Sequence, residues 1–236
     1  MSQLPAEIFK AYDIRGIVNK SLTADVVRQI GHALGSLAVE QGQKAIAVGR
    51  DGRLSGPELA GALMDGICAA GIDAIDVGCV PTPLTYFAAY ELGCNSCVSV
   101  TGSHNPPDYN GLKMVIGGTT LALEAIQDLK KRIEAGNLKH GQGQRRSADV
   151  KAAYVEKIVG DVKLARPMKI VMDCGNGVAG AIAPELFKRL GCEIVPLFCE
   201  VDGNFPNHHP DPSKPENLAD VIRALKETDA EIGIAF

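Results

Sequence analysis
The sequence has no apolar run approaching the roughly 18 residues that cross a bilayer, so a membrane-spanning helix is not expected. Its N-terminus, MSQLPAEIFK, lacks the charged, apolar and small-residue regions of a secretory leader. Positive charge is not in excess either: 24 Lys and Arg stand against 28 Asp and Glu, a formal net charge of −4. That balance argues against nucleic acid as the main partner. An anionic ligand would have to be held by local cations, and the loops offer Arg15, Arg50, Arg53 and Lys113. An even cysteine framework is missing as well. The seven cysteines are scattered mostly over apolar strand and helix positions, which suits reduced thiols in a cytoplasmic protein. Cys94-Asn95-Ser96-Cys97 has a CxxC spacing but no second pair, so buried thiols are set against a weak zinc signal.

What is present is ordinary globular material: 236 residues, 46% hydrophobic and 22% charged. That length suits two ordinary cores better than one large one. The fold class is α/β, because short apolar runs alternate with helical periodicity. Ser21 is expected to cap a helix carrying Val26, Val27, Ile30, Ala33, Leu34, Leu37 and Ala38 on its buried face, with His32 a satisfied, partly exposed side chain. A strand at 44–48 runs into Gly49-Arg50-Asp51-Gly52-Arg53 and a helix at 57–70, the opening of a βαβ unit. Arg50 and Arg53 then lie at a strand's carboxyl end, where open α/β sheets gather ligands. Arg50 and Asp51 have a structural alternative, pairing with each other or bracing a neighbouring loop. A return strand at 74–77, a helix at 84–92 with Pro83 in its first turn, and a helix at 122–133 complete the first part. The Gly-, Gln- and Arg-rich stretch 134–147 reads as the interdomain linker, with Arg145 and Arg146 as solvated charges.

The stretch 97–113, CVSVTGSHNPPDYNGLK, organises the rest. A short buried strand holding Val98 and Val100 breaks into a polar loop with one hydroxyl, Ser103, at its tip. Gly102, His104 and Asn105 flank that hydroxyl, and Pro106-Pro107 stops a helix from forming. A strand at 111–116 then brings Lys113 back towards the loop. A small residue, a hydroxyl, a potential base and a nearby cation are the parts that activate a serine; the plain alternative is a surface serine in an Asn/Pro turn. Earlier in the chain, Gly16 permits a tight turn that could aim Arg15 inward.

The second part is expected to run helix 149–159, strand 169–172, helix 181–190, strand 193–198, helix 218–228 and strand 231–236. Between its first strand and next helix lies Gly175-Asn176-Gly177-Val178-Ala179-Gly180, a literal GxGxxG, with Glu200 some way further on. That pattern makes a dinucleotide-binding protein a rival reading. His208, His209 and Asp211 stand in a proline-rich loop at 199–216. Their spacing fits no zinc pattern, and we assign them no catalytic role.

Five motifs in order, Tyr12-Asp13-Ile14-Arg15-Gly16, Gly49-Arg50-Asp51-Gly52-Arg53, the Ser103 loop, Asp173-Cys174-Gly175-Asn176-Gly177 and the stretch 203–212, together resemble the α-D-phosphohexomutases. The resemblance is to the bacterial phosphomannomutase/phosphoglucomutase branch, and to its N-terminal half. It implies two mixed-sheet, three-layer α/β/α domains: domain I with the phosphoserine loop over 1–147, and domain II over 148–236. Domains III and IV of the family would be absent. It also implies an isomerase that interconverts hexose 1-phosphate and hexose 6-phosphate (mannose, glucose or both) through a phosphoserine and a hexose 1,6-bisphosphate, which also serves as activator. Ser103 would carry the phosphoryl group. Arg15 and Lys113 would bind and stabilise it, and His104 would orient the loop or shuttle a proton. Gly102, Asn105, Arg50 and Asp51 would support the loop. Magnesium would be held in part by the Ser103 phosphate, with its aspartate ligands beyond Phe236. A chain of these two domains would be a fragment, nearly inactive alone, of a full-length cytoplasmic monomer acting on phosphorylated hexose. A non-catalytic phosphosugar-binding module is the other alternative.

Overall fold
The computed structural model describes residues 4–236. The chain forms two compact units: one runs to Ser103 and resumes from Asp108 to Val150, and the other joins His104–Pro107 to Lys151–Phe236.

In the first unit the elements come in the order β1 (Ile14–Ile17), α1 (Ala24–Glu40), β2 (Ala45–Arg50), α2 (Gly56–Ala69), β3 (Asp73–Cys79), α3 (Thr82–Glu91), β4 (Cys97–Val100), β5 (Tyr109–Ile116), β6 (Thr119–Thr120), α4 (Glu124–Glu134) and β7 (Arg145–Ser147). The sheet is mixed. Its order is β1-β5-β4-β2-β3-β7, with β6 on β5. β4, β2, β3 and β7 run parallel, whereas β5 is antiparallel to β1, β4 and β6.

Alternation along the strands assigns the faces. Ile46 and Val48 of β2, Val98 and Val100 of β4 and Leu112 and Met114 of β5 share one fully buried cluster with α1, α2 and α4. Gly49 points the other way: a Cβ there would lie 2.2 Å from Thr85 Oγ1 of α3. Helices therefore cover both faces, giving the three layers expected. α1 and α2 approach closely because small residues meet backbone, with a Cβ on Gly31 only 2.3 Å from the Leu63 carbonyl oxygen.

Three local expectations are corrected. Thr23, not Ser21, caps α1, accepting a hydrogen bond from Val26 N at 3.3 Å; Ser21 Oγ instead accepts from Ile17 N at 3.0 Å. Gly16 is not a turn residue. It pairs with Asn110 inside β1, where a Cβ would lie 2.8 Å from Ser21 Oγ, so closeness rather than left-handed backbone calls for glycine. Part of the expected linker is an edge strand: β7 pairs with β3, Arg145 bridges to Asp65, and Arg146 bridges to Asp73 at 2.5 Å. His32 is satisfied as expected, its Nε2 lying 2.6 Å from the Lys139 carbonyl oxygen.

The second unit contains α5 (Lys151–Asp161), β8 (Lys169–Asp173), α6 (Ala183–Arg189), β9 (Glu193–Leu197), α7 (Ala219–Glu227) and β10 (Ile232–Ala235). β8 is the middle strand of three, all parallel, with Ile170, Val171 and Met172 almost wholly buried. Helical turns of 3-10 type at Val178–Ala181 and Pro215–Leu218 precede α6 and α7, which are shorter than their sequence periodicity predicts.

Candidate active site
Ser103 sits in the connection between the antiparallel strands β4 and β5, with a left-handed φ of 53° that a side chain rarely adopts. The loop is over-determined by hydrogen bonds, which is what holds such a conformation. Ser103 N donates to Thr101 Oγ1 at 2.9 Å, and Gly102 N donates to Asp51 Oδ2 at 3.0 Å. Arg15 Nη1 donates to the Gly102 carbonyl oxygen at 2.6 Å.

Arg53 passes beneath the loop. Its Nη2 donates to the Ser103 carbonyl and its Nη1 to the Tyr109 carbonyl, both at 3.0 Å, so one guanidinium ties both ends of the loop together. Asp51 neutralises it, with Oδ2 3.3 Å from Arg53 Nε and Oδ1 accepting from Arg53 N at 3.0 Å. Only 2% of Arg53 is exposed. Burial pulls its guanidinium down from the ordinary arginine range, and Asp51 opposes that pull. Arg53 is thus committed to main-chain carbonyls, which corrects its reading as a loop cation for an anionic ligand.

Arg15 and Lys113 lie on the sheet face opposite the large cluster, since their neighbours Ile14 and Leu112 point into it. Asp13 links the two cations: Oδ2 accepts from Arg15 Nη2 and lies 3.7 Å from Lys113 Nζ. About a third of the Lys113 side chain remains accessible. Asp51 braces the loop rather than pairing with Arg50, whose Nη1 is buried with no hydrogen-bond partner among the described residues.

Asp13, Thr101 and Asn110 were not singled out from the sequence. The buried Asn110 donates to Ser55 Oγ at 2.9 Å and accepts from Gly111 N at 2.8 Å, anchoring the start of β5. An acid two residues from Arg15 was the available signal for Asp13. Nothing local marks Asn110.

His104 and the half-buried Asn105 belong by their contacts to the second unit. His104 Nδ1 lies 2.6 Å from the Pro210 carbonyl oxygen, and the His104 carbonyl accepts from His209 Nε2 at 2.7 Å. A carbonyl can only accept, so Nδ1 carries the proton and a neutral ring keeps its lone pair on Nε2. In the same unit His208 Nε2 lies 3.0 Å from Asp173 Oδ2, and Asp211 Oδ1 accepts from Ser213 N at 3.0 Å. Among the described residues no three or more His, Cys, Asp or Glu side chains are grouped so as to hold a metal.

The GxGxxG amides are already used. Gly175 N donates to Asp173 Oδ1 at 2.8 Å, Asn176 N to the Phe198 carbonyl at 2.8 Å and Gly177 N to the Cys174 carbonyl at 2.7 Å. The chain then enters a single 3-10 turn and a seven-residue helix, not a long helix with free N–H groups. A pyrophosphate cradle needs those donors unoccupied. The dinucleotide reading loses its physical basis.

A mixed sheet covered on both faces, succeeded by a parallel α/β unit, is the architecture of phosphohexomutases. The chain belongs to the phosphoglucomutase/phosphomannomutase family: alpha/beta/alpha domain I of that family matches residues 6–140, and alpha/beta/alpha domain II matches residues 152–236. It is 55% identical to a phosphomannomutase/phosphoglucomutase of Pseudomonas aeruginosa, over 99% of this chain and 50% of the relative. It is 56% identical to a phosphoglucomutase of Neisseria gonorrhoeae, over 100% of this chain and 52% of the relative. A crystal structure of a phosphoglucomutase/phosphomannomutase family protein from Burkholderia thailandensis superposes with a TM-score of 0.96 at 59% identity. It covers 99% of this chain and 53% of that one. The chain spans about half the length of the curated relatives it matches.

Proposed function
We propose that this chain is the serine-bearing part of a phosphohexomutase that interconverts hexose 1-phosphate and hexose 6-phosphate. Family membership gives the class. The observation that carries the reading to residues is Ser103, held in left-handed backbone by Arg15, Asp51 and Arg53, with Lys113 tied to Arg15 through Asp13.

In this reading the phosphorylated Ser103 passes its phosphoryl group to the free hydroxyl of a hexose monophosphate. The serine oxygen leaves, and the hydroxyl gives up its proton. The hexose 1,6-bisphosphate then returns its other phosphoryl group to Ser103. Charge accumulates on transferring oxygens, so positioned cations supply most of the rate. Arg15 and Lys113 are the cations this chain contributes. His104, with its lone pair on Nε2, has the form required of a proton acceptor.

Magnesium belongs to the proposal as the Lewis acid of the complete enzyme, reached here only through phosphate on Ser103. A cytoplasmic location and a monomeric full-length enzyme also belong to it; seven cysteines scattered over apolar positions suit a reducing compartment. No helix of the described residues is long and apolar enough to cross a membrane. Because the chain spans half of its relatives, steady-state turnover by it alone should fall far below that of a full-length mutase.

The test is to incubate the pure chain with magnesium and phosphorus-labelled glucose 1,6-bisphosphate, then map the label after digestion. Label on the Ser103 peptide, lost in Ser103→Ala, is expected. A folded chain that binds the bisphosphate without taking up label would support a phosphosugar-binding module instead.

A further inference from the structure
In the second unit, Cys174 comes directly after β8 and Cys199 lies just past β9, and their sulfurs lie 3.5 Å apart. Adjacent parallel strands set this up. Cys174 N donates to the Leu197 carbonyl at 3.0 Å and Asn176 N to the Phe198 carbonyl at 2.8 Å, so the two chains remain hydrogen-bonded past the strand ends. The strands run about 4.8 Å apart, and the register that sets Asp173 beside Leu197 brings Cys174 beside Phe198, one residue short of Cys199. Phe198, at φ 49°, then turns the chain back. The Cys199 sulfur is left 3.5 Å from the Leu197 carbonyl and 3.8 Å from the Met172 carbonyl, over the strand that leads to Cys174.

The two thiols differ in access. Cys174 is fully buried and Cys199 is half-buried. Burial first, and the neighbouring Cys199 next, push the Cys174 thiol well above the usual cysteine range. Attack on a soluble oxidant therefore falls to Cys199, and Cys174 is placed to resolve the product.

We propose that Cys174 and Cys199 are an oxidisable pair, a modification site at which a small hydroperoxide closes a disulfide between the ends of β8 and β9. Cys199 Sγ, as thiolate, attacks one oxygen of hydrogen peroxide. The O–O bond breaks, water leaves once the departing hydroxide is protonated, and Cys199 becomes the sulfenic acid. Cys174 Sγ loses its proton and attacks Cys199 Sγ, the S–O bond breaks, and a second water leaves. The two sulfurs have given up two electrons, and both peroxide oxygens end as water. Closure moves the sulfurs from 3.5 Å to the roughly 2.05 Å of an S–S bond. This inference does not depend on the mutase reading.

The experiment treats the whole chain with hydrogen peroxide, blocks remaining thiols and digests with trypsin plus a Glu-specific protease, which separates Cys192 from Cys199 at Glu193. Expected are an intact mass lower by two hydrogens, a linked pair of peptides carrying Cys174 and Cys199, and a raised thermal midpoint that dithiothreitol reverses. In Cys174→Ser the chemistry should stop at a Cys199 sulfenic acid that dimedone captures. In Cys199→Ser, Cys174 should remain unmodified. Linkage of any other cysteine pair first, irreversible oxidation of Cys199 without linkage, or Cys174 reacting as fast in Cys199→Ser as in the parent chain would each overturn the proposal.

Discussion
Gly102 and Arg53 are fitted to one another: a Cβ on Gly102 would lie 2.1 Å from Arg53 Nε and 2.2 Å from Cζ. No methyl group can occupy that space while the guanidinium holds both ends of the serine loop. Gly102→Ala should therefore displace Arg53 and lower stability by about 2 kcal/mol, the usual scale of overpacking. Urea denaturation gives the first number, and label transfer to Ser103 should fall with it. A variant with unchanged stability and labelling would mean that the loop does not rest on Arg53.

Asp51→Asn removes the charge that compensates a nearly wholly buried guanidinium and weakens the acceptor for Gly102 N. Breaking one side of a buried pair typically costs about 3 kcal/mol or more. A loss well under about 1 kcal/mol in chemical denaturation would instead place Arg53 in contact with water.

Asp13→Asn tests the link between the two cations. The Arg15 and Asp13 side chains are mostly buried and joined by a charged hydrogen bond, so the stability loss should be about 1–3 kcal/mol. Label uptake by Ser103 should also drop by about tenfold or more, because Arg15 and Lys113 would lose the group that positions them. Equal losses in Asp13→Asn and Asp13→Ala would fit this positioning role. Full labelling in both would count against it.

His208 should make the second unit's stability pH-dependent. Burial alone would lower its pKa, but Nδ1 faces the His209 carbonyl and Nε2 faces the buried Asp173 carboxylate, and the net shift is upward. A neutral ring has one N–H for two acceptors, so the protonated ring fits better. With the folded pKa above the unfolded value of about 6.5, the stabilisation is fully present below that value and is lost as pH rises through the folded pKa. The stability gap between the parent chain and His208→Gln should therefore narrow on going from about pH 5.5 to about pH 8.5. A gap that widens would reverse the assignment.

Excess NAD should leave the melting temperature unchanged, because the amides of the Gly175–Gly177 turn are occupied within the protein. A concentration-dependent rise would reopen the dinucleotide reading.

The sequence carried the α/β alternation because periodicity of 2 and 3.6 comes directly from which side chains are buried, as in α1 and β4. Ser103 was visible because a hydroxyl beside glycine, histidine and two prolines has few structural uses. What stayed hidden depends on distant partners. Arg53 looks like an exposed loop cation until the Ser103 and Tyr109 carbonyls, far along the chain, are seen to claim it. The GxGxxG pattern specifies spacing but not whether Asp173 and Phe198 have already taken its donors. Arg145 and Arg146 lack apolar alternation because β7 is an exposed edge strand held by main chain and by Asp65 and Asp73.

The three-stranded sheet has a consequence for synthesis on the ribosome. β8 is the central strand, yet one of its two neighbours is β10, which ends at Ala235. The first sheet has all its strands once Ser147 has emerged, whereas the second waits for the last strand described. Domains fold as units, the N-terminal one first during translation. His104, grouped with the second unit, acquires its Pro210 and His209 partners only when those residues arrive.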